Sequence, residues 1–165
     1  MTRGTRDGTI THEGDTATIT FERHLPWPIE RVWAALTDPT QRARWFGSTT
    51  LEARVGGMID MVSEGPPAPP EMRRMTGRIR VWDPPHVFEH EWNQAITGNT
   101  VARYELSVEG TGTRLRFTHS GMKPAHARGY IPGEHAFLDR LEAHLGEVPL
   151  PVWTERYGQV QSAYA

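Results

Sequence analysis

The clearest alternation of hydrophobic and polar positions in the chain follows a double proline at 84–85. Phe88, His90 and Trp92 fall on one face of this stretch, and glutamates at 89 and 91 fall on the other. A period of two is typical of a strand with one buried face. The prolines end the preceding segment and favour an extended one. Because the glutamates need water, we predict a strand whose inward face holds a histidine between two aromatic rings.

The same alternation recurs along most of the chain. Outward positions are rich in arginine and glutamate, which predicts cross-strand charge pairs on a solvated face. A proline-rich segment at 64–71 is predicted to be an exposed loop. The predicted strands are 16–25, 51–55, 58–62, 77–82, 87–92, 100–108 and 113–120.

Apolar residues at helical spacing predict helices on both sides of these strands. Two short helices follow Pro28, and Asp38 can cap the second of them. A long helix is predicted from Gly133 to about Leu145, preceded by a loop over 121–132. The long helix is the one predicted element able to cover the inner face of an antiparallel sheet. We therefore predict an α+β fold, with a curved antiparallel sheet wrapped around a long C-terminal helix.

Length and patterning predict one folded domain. Residues 1–15 are polar and patternless, which predicts a flexible tail, and 16–146 carry all the predicted strands and main helices. Residues 147–165 form a C-terminal extension in which Trp153 and Tyr157 lie four apart, a spacing compatible with one short helix.

Composition excludes several classes of function. The chain has no cysteine, so disulfides, thiolate nucleophiles and Cys-ligated zinc are ruled out. A net charge of −2 gives no sign of a nucleic-acid or anionic-membrane partner. No apolar run approaches membrane-spanning length, and the first residues lack the apolar region of a signal peptide. We expect a cytoplasmic protein that neither binds nucleic acid nor inserts into a membrane.

Seven short motifs, in order, resemble the START-like (SRPBCC, helix-grip) superfamily. Within it, the chain is most similar to bacterial relatives of the activator of heat-shock-protein-90 ATPase. The resemblance covers roughly 16–145. The motifs are Pro28-Ile-Glu-Arg-Val-Trp-Ala-Ala-Leu-Thr-Asp-Pro39, Trp45-Phe46, Arg54-Val-Gly-Gly57, Gly77 with Asp83-Pro-Pro85, Trp92, Gly112-Thr113 with Thr118-His-Ser-Gly121, and Phe137-Leu-Asp-Arg-Leu-Glu-Ala-His-Leu145.

The resemblance implies a helix-grip fold with a hydrophobic cavity between the long helix and the sheet. Members bind apolar small molecules, cyclise polyketides or act as chaperone partners, so the fold leaves the function open. The family usually carries a tryptophan after a glycine early in the last helix. Here Gly133 is followed by Glu134, which implies a carboxylate near the cavity mouth.

The inward positions and this resemblance together suggest a cavity for an apolar or aromatic ligand, of the lipid or polyketide type, bound without a cofactor. The alternative is that the same residues simply fill a closed core. The candidate ligand-binding residues are Ile59, Met61, Ile79, Phe88, His90, Trp92, Tyr104, Phe117, Glu134, Leu138 and Leu141.

An enzyme of the polyketide cyclase or hydratase type is a second hypothesis. His90, His119 and Glu134 are candidates for acid–base catalysis. Against it, the sequence shows no nucleophile–base constellation and no phosphate loop. No metal site is predicted: the histidines are scattered, and four residues of strand separate His86 from His90 by about 13 Å.

A protein-interaction role is the third hypothesis, with a chaperone or a second copy of the chain as partner. Trp153 and Tyr157 in the extension, or Trp27 between its two prolines, could form an exposed aromatic patch. The alternative is that the extension packs against its own domain or a dimer mate.

Overall fold

The computed structural model describes residues 6–165, which contain one antiparallel sheet of eight strands. The strands are Thr9–Glu13 (β1), Thr16–Leu25 (β2), Gly47–Leu51 (β3), Met58–Ser63 (β4), Arg74–Asp83 (β5), Val87–Gln94 (β6), Gly98–Glu109 (β7) and Gly112–Met122 (β8). Their order across the sheet is β1-β2-β8-β7-β6-β5-β4-β3.

The helices pack against this sheet and against one another. They are Ile29–Thr37 (α1), Pro39–Trp45 (α2), Pro70–Arg73 (α3), Pro124–Leu145 (α4) and Trp153–Val160 (α5), followed by a 3₁₀ turn over Gln161–Tyr164. Asp38 caps α2 by accepting a hydrogen bond from the Thr40 N–H at 3.3 Å. The predicted α+β arrangement, with a long C-terminal helix against an antiparallel sheet, is confirmed.

The central strands align their aromatic side chains in a row on the inner face. Phe88 of β6 pairs with Tyr104 of β7, which pairs with Phe117 of β8. All three side chains are buried. On the outer face, Glu89 accepts a hydrogen bond from Arg103 at 2.9 Å, one of the predicted cross-strand charge pairs. Trp33 of α1 packs against the Phe88 end of this row, whereas α4 contacts the sheet mainly at β2.

The predicted loose tail over 1–15 is wrong in part. Residues 9–13 form β1, which pairs with β2 from Thr9 opposite Thr20 to Glu13 opposite Thr16. All but one of the β1 residues are exposed, so this strand carries no hydrophobic alternation for a sequence reading to detect. Residues 1–5 lie outside the described part of the chain.

Two elements near the sheet edge differ from their predicted positions. The strand predicted at 51–55 lies at Gly47–Leu51 instead. Gly47 permits a close approach to β4, since a Cβ there would lie 2.3 Å from the Val62 carbonyl oxygen. Within the predicted loop at 64–71, the last residues begin the short helix α3.

The long helix begins nine residues earlier than predicted, so the predicted loop over 121–132 is wrong. Pro124 lies in the first turn, where its missing N–H costs nothing. Pro132 lies inside the helix, where its missing N–H removes one hydrogen bond. Ile131 and Pro132 are both buried, and this packing outweighs the lost bond. The two extra turns carry His126 and Tyr130 to the site described next.

Candidate functional site

A cavity of about 540 Å³ lies between α4, the sheet and the segments that follow β4 and α4. Its walls are mostly apolar, and a few polar side chains reach it. The apolar residues are Trp45, Phe46, Pro66, Pro67, Trp92, Ile96, Phe117, Phe137, Leu138 and Trp153. The polar ones include Ser63, Tyr104, His126, Tyr130, Glu134 and Tyr157.

The C-terminal extension closes one side of the cavity. The Trp153 indole N–H donates to the Gly133 carbonyl at 3.2 Å, and the Tyr157 hydroxyl donates to the Gly129 carbonyl at 2.9 Å. Gly65 is needed opposite the indole, because a Cβ there would lie 2.3 Å from Trp153 Cδ2. The extension therefore packs against its own domain.

Glu134 of α4, which borders the cavity, forms a buried pair with His119 of β8. His119 is fully buried and Glu134 is 6% exposed, and Nδ1 lies 2.6 Å from Oε2. The other ring nitrogen, Nε2, lies 2.7 Å from the Thr100 hydroxyl, which donates to the Trp92 carbonyl at 2.7 Å. The imidazole is thus held from both sides.

This chain of contacts determines where the protons lie. A carbonyl oxygen only accepts, so the Thr100 hydroxyl proton points to Trp92 and the hydroxyl oxygen accepts from His119 Nε2–H. One further proton then lies between Nδ1 and the Glu134 carboxyl group. The pair is either imidazolium and carboxylate or imidazole and carboxylic acid, and both forms are neutral overall. It can shift a proton within the cavity wall without changing the net charge.

Two buried polar atoms of cavity-lining residues lack a hydrogen-bond partner within residues 6–165. They are Glu134 Oε1 and His126 Nδ1. Leaving a buried polar group unpaired costs about 1–3 kcal/mol. Because neither atom is accessible from the empty cavity, each one lowers the stability of the fold.

Two tyrosines near this pair remain neutral at physiological pH. The Tyr130 hydroxyl donates to Gln94 Oε1 at 2.5 Å, and the Trp92 indole donates to the same oxygen at 3.0 Å. Burial raises the pKa of Tyr130 well above its usual value, and the charge of Glu134 raises it further. Burial also raises the pKa of Tyr104 to about 12. Both hydroxyls therefore serve as hydrogen-bonding groups and not as anions.

A family model described as "Activator of Hsp90 ATPase homolog 1-like protein" matches residues 26–146, more than half of the chain. The chain belongs to this family. None of the curated proteins compared with the chain is significantly similar to it in sequence.

Several solved structures share the helix-grip fold of this protein. CalU16 from Micromonospora echinospora is 22% identical with a TM-score of 0.73, over 96% of this chain and 92% of its own. The protein of gene BPP1335 from Bordetella parapertussis is 27% identical with a TM-score of 0.73, over 96% and 88%. Protein MLL2253 from Mesorhizobium loti is 25% identical with a TM-score of 0.69, over 81% and 99%. The predicted helix-grip fold is thereby confirmed.

In the folded protein, the predicted ligand-binding residues fall into two groups. Trp92, Tyr104, Phe117, Glu134 and Leu138 border the cavity. Ile59, Met61, Ile79, Phe88, His90 and Leu141 lie in the closed core instead. Helices α1 and α2 account for part of this division, because Trp33 of α1 packs against Phe88 and Arg42 of α2 contacts the Met61 sulfur at 3.2 Å.

His90, the first candidate for chemistry, does not border the cavity. It is fully buried, with its ring near those of Phe88, Trp92 and Tyr104. Its Nδ1–H donates to the Glu91 carbonyl at 2.8 Å. Burial lowers the pKa of His90 to about 3, so the ring is neutral at physiological pH. Of the other two candidates, Glu134 borders the cavity, and the fully buried His119 lies behind it as its partner.

Several residues of the site are not predicted by the sequence pattern. His126 and Tyr130 fell in the predicted loop, and Phe46 and Phe137 were noted as motif residues but not as cavity wall. For Trp153, the sequence predicts either an exposed aromatic patch or a packed C-terminal extension. Its spacing from Tyr157 was the one available signal, because it predicts a helix with both rings on one side.

Within residues 6–165, no group of three or more His, Asp or Glu side chains is placed to hold a metal ion. The same part of the chain contains no helix both long enough and apolar enough to cross a membrane.

Proposed function

We propose that this protein binds an apolar or aromatic small molecule, of the lipid or polyketide type, in the cavity beside α4. The observation that carries the proposal is a cavity of about 540 Å³ with apolar walls and few convergent polar groups. Small-molecule sites typically have this size and composition. Aromatic walls such as Trp92 and Phe137 offer flat contact area at low cost in conformational entropy. The proposal requires no cofactor.

The C-terminal extension supports small-molecule binding over a protein-interaction surface. Trp153 and Tyr157 are hydrogen-bonded to carbonyl groups of α4 and border the cavity. Both rings therefore contact α4 and the cavity, which leaves less of their surface for a protein partner.

Replacing Leu138 by Trp is expected to weaken the binding of 1-methylpyrene at least tenfold. Leu138 is 4% exposed and borders the cavity, so the larger indole would occupy the space in which the probe binds. The probe has no hydrogen-bonding group and reports apolar binding alone. The measurement is a fluorescence titration of the wild type and of Leu138→Trp.

Val108→Trp is the matched control, because Val108 is 68% exposed at a distance from the cavity. This variant adds the same ring on the surface and should bind the probe like the wild type. A wild type that does not bind the probe, or a Leu138→Trp variant that binds it undiminished, would refute the proposal.

A further inference from the structure

The hydroxyl groups of the cavity wall differ in where their protons go. Three buried or half-buried hydroxyls donate to oxygens of the protein itself: Tyr130 to Gln94 Oε1 at 2.5 Å, Tyr157 to the Gly129 carbonyl at 2.9 Å, and Ser63 to the Gly65 carbonyl at 2.7 Å. Tyr104 borders the same cavity, but its hydroxyl proton has no acceptor among residues 6–165. This hydroxyl is therefore the one of the four that is free to donate to a ligand.

The Tyr104 oxygen is also reachable from the cavity. Within residues 6–165, four fully buried side-chain atoms lack a hydrogen-bond partner, namely Arg23 Nε, His90 Nε2, His126 Nδ1 and Glu134 Oε1. The Tyr104 oxygen makes no hydrogen bond either, yet it is not one of these fully buried atoms, so it retains accessible surface. Tyr104 is 2% exposed, and the space beside it is the cavity. A ligand can therefore reach this oxygen without any rearrangement of the wall.

Arg42, beside this hydroxyl, determines its polarity. The guanidinium is fully buried and close enough to act electrostatically on the Tyr104 oxygen. Its N–H groups are directed at other atoms: the Leu36 carbonyl at 2.8 Å, the Met61 sulfur at 3.2 Å and the Thr49 hydroxyl at 3.3 Å. A cation beside the oxygen favours a proton that points away from it and makes the hydroxyl a stronger donor. Its complement in a ligand is a hydrogen-bond acceptor.

The groups around the hydroxyl favour a neutral acceptor. A ligand carboxylate would receive one hydrogen bond, from Tyr104, because the N–H groups of Arg42 are already directed elsewhere. The His119–Glu134 pair is neutral overall and supplies no positive counter-charge. A single donor compensates poorly for burying a charge in apolar surroundings, whereas a carbonyl oxygen is satisfied by one bond.

We propose, building on the proposed function, that the ligand is an apolar or aromatic molecule carrying a neutral carbonyl oxygen that accepts a hydrogen bond from the Tyr104 hydroxyl. The apolar body lies against Phe117 and Phe137, and the carbonyl determines its orientation. Tyr104 is in this proposal a specificity-determining residue. Its ring is fixed between Phe88, with centroids 5.8 Å apart, and Phe117, with centroids 4.9 Å apart.

The test compares 1-pyrenecarboxaldehyde with 1-vinylpyrene, which have nearly the same shape and differ by a carbonyl oxygen in place of a methylene group. Fluorescence titrations at pH 7 give both affinities. The wild type is expected to bind the aldehyde about three- to tenfold more tightly, the range of one net hydrogen bond. Tyr104→Phe removes the hydroxyl but keeps the ring contacts. In this variant the ratio should fall to about one or below, while 1-vinylpyrene binds as before.

Tyr130→Phe is the matched control, because it makes the same chemical change at a cavity tyrosine whose proton is bound to Gln94. Gln94 Oε1 would still accept from the Trp92 indole at 3.0 Å. Any effect of this variant should be equal for the two probes, so their affinity ratio should stay that of the wild type. The infrared carbonyl band of bound 1-pyrenecarboxaldehyde gives a direct readout, since a hydrogen bond lowers its frequency. The band should move to higher frequency in Tyr104→Phe alone.

The outcomes separate this inference from the proposed function. If the wild type binds both probes equally, or if Tyr104→Phe keeps both the preference and the low-frequency band, this inference is wrong and the proposed function stands. A ratio that falls equally in both tyrosine variants would also contradict it, because the Tyr104 hydroxyl would not be the specific donor. Tighter binding of 1-pyrenecarboxylate than of the aldehyde would make the ligand class an anion and refute the neutral acceptor. Absence of binding by every pyrene overturns the proposed function as well.

Discussion

Replacing Asp139 by Asn is expected to lower the free energy of unfolding by about 3 kcal/mol at pH 7. Asp139 is a buried carboxylate of α4 that accepts hydrogen bonds from Arg23 at 2.7 Å, Arg156 at 2.7 Å and Arg6 at 2.8 Å. His135 Nε2 lies 3.4 Å away. Arg23 is itself 3% exposed. The substitution would leave three arginines beside a neutral amide, and the desolvated guanidinium of Arg23 would keep only Glu142, at 2.8 Å, as a counter-charge.

The effect of Asp139→Asn should depend on pH in a defined direction. Burial alone would raise the pKa of Asp139, but His135, Arg23 and Arg156 together hold it well below the usual range. A depressed pKa stabilises the folded state at every pH above the unfolded value of about 4. That contribution is lost as the pH falls below this value toward the folded pKa. Denaturant titrations at pH 7 and pH 3 should therefore show a smaller difference between wild type and variant at pH 3.

Asp60→Asn is the matched control for this experiment. Asp60 pairs with Arg74 at 2.6 Å, but both side chains are open to solvent. Exposed pairs contribute little to stability, so this variant should unfold much like the wild type. An Asp139→Asn protein as stable as Asp60→Asn would contradict the expectation.

Deleting residues 147–165 is expected to lower the melting temperature by roughly 10 °C or more and to weaken 1-methylpyrene binding at least tenfold. The deletion removes the Trp153 wall of the cavity and the Arg156 contact to Asp139. It also removes Tyr164, whose hydroxyl accepts from the Gly8 N–H at 2.8 Å and lies 2.7 Å from His135 Nδ1. Together these losses should lower the free energy of unfolding by several kcal/mol. In a chain of this size, each kcal/mol lowers the melting temperature by about 2–4 °C.

Two point variants separate the causes of this effect. Trp153→Ala removes the wall and one hydrogen bond to Gly133 but keeps the contacts of Arg156 and Tyr164, so probe affinity should fall more than stability. Val152→Ala alters a neighbouring side chain that is 54% exposed and should change neither. A truncated protein with unchanged melting temperature and affinity would show that the extension is dispensable. Differential scanning calorimetry and fluorescence titration supply the two measurements.

The alternation of residues was sufficient to predict which side chains of the central strands point inward. Phe88, His90, Trp92, Tyr104 and Phe117 are all buried. This prediction succeeds because the direction of a strand side chain is a local property with a period of two. The outward charges at 89 and 103 reinforce it, since they face solvent and pair across the strands.

Membership of the cavity could not be predicted in this way. His90 and Trp92 are both inward positions of β6, yet only Trp92 borders the cavity. The difference depends on what covers each part of the sheet: Trp33 of α1 packs over Phe88, and α4 leaves space near Trp92. Such packing joins segments far apart in the sequence.

The His119–Glu134 pair illustrates the same limit. Both residues were candidates, but nothing in the sequence connects a strand histidine with a helix glutamate 15 positions later. Their contact depends on how α4 crosses the sheet. The early start of that helix was hidden by Pro132, which local rules treat as a helix breaker.

The cavity and the ion-pair cluster around Asp139 lie on different sides of α4. Glu134, Phe137 and Leu138 border the cavity, whereas Asp139 is tied to Arg23 on β2 and to Arg156 on α5. The helix is therefore anchored by residues that take no part in lining the cavity. A mutational library at 134, 137 and 138 would vary selectivity while the anchor stays intact. On the proposed function, this separation would let the shape of the cavity change while the anchor of the fold is kept.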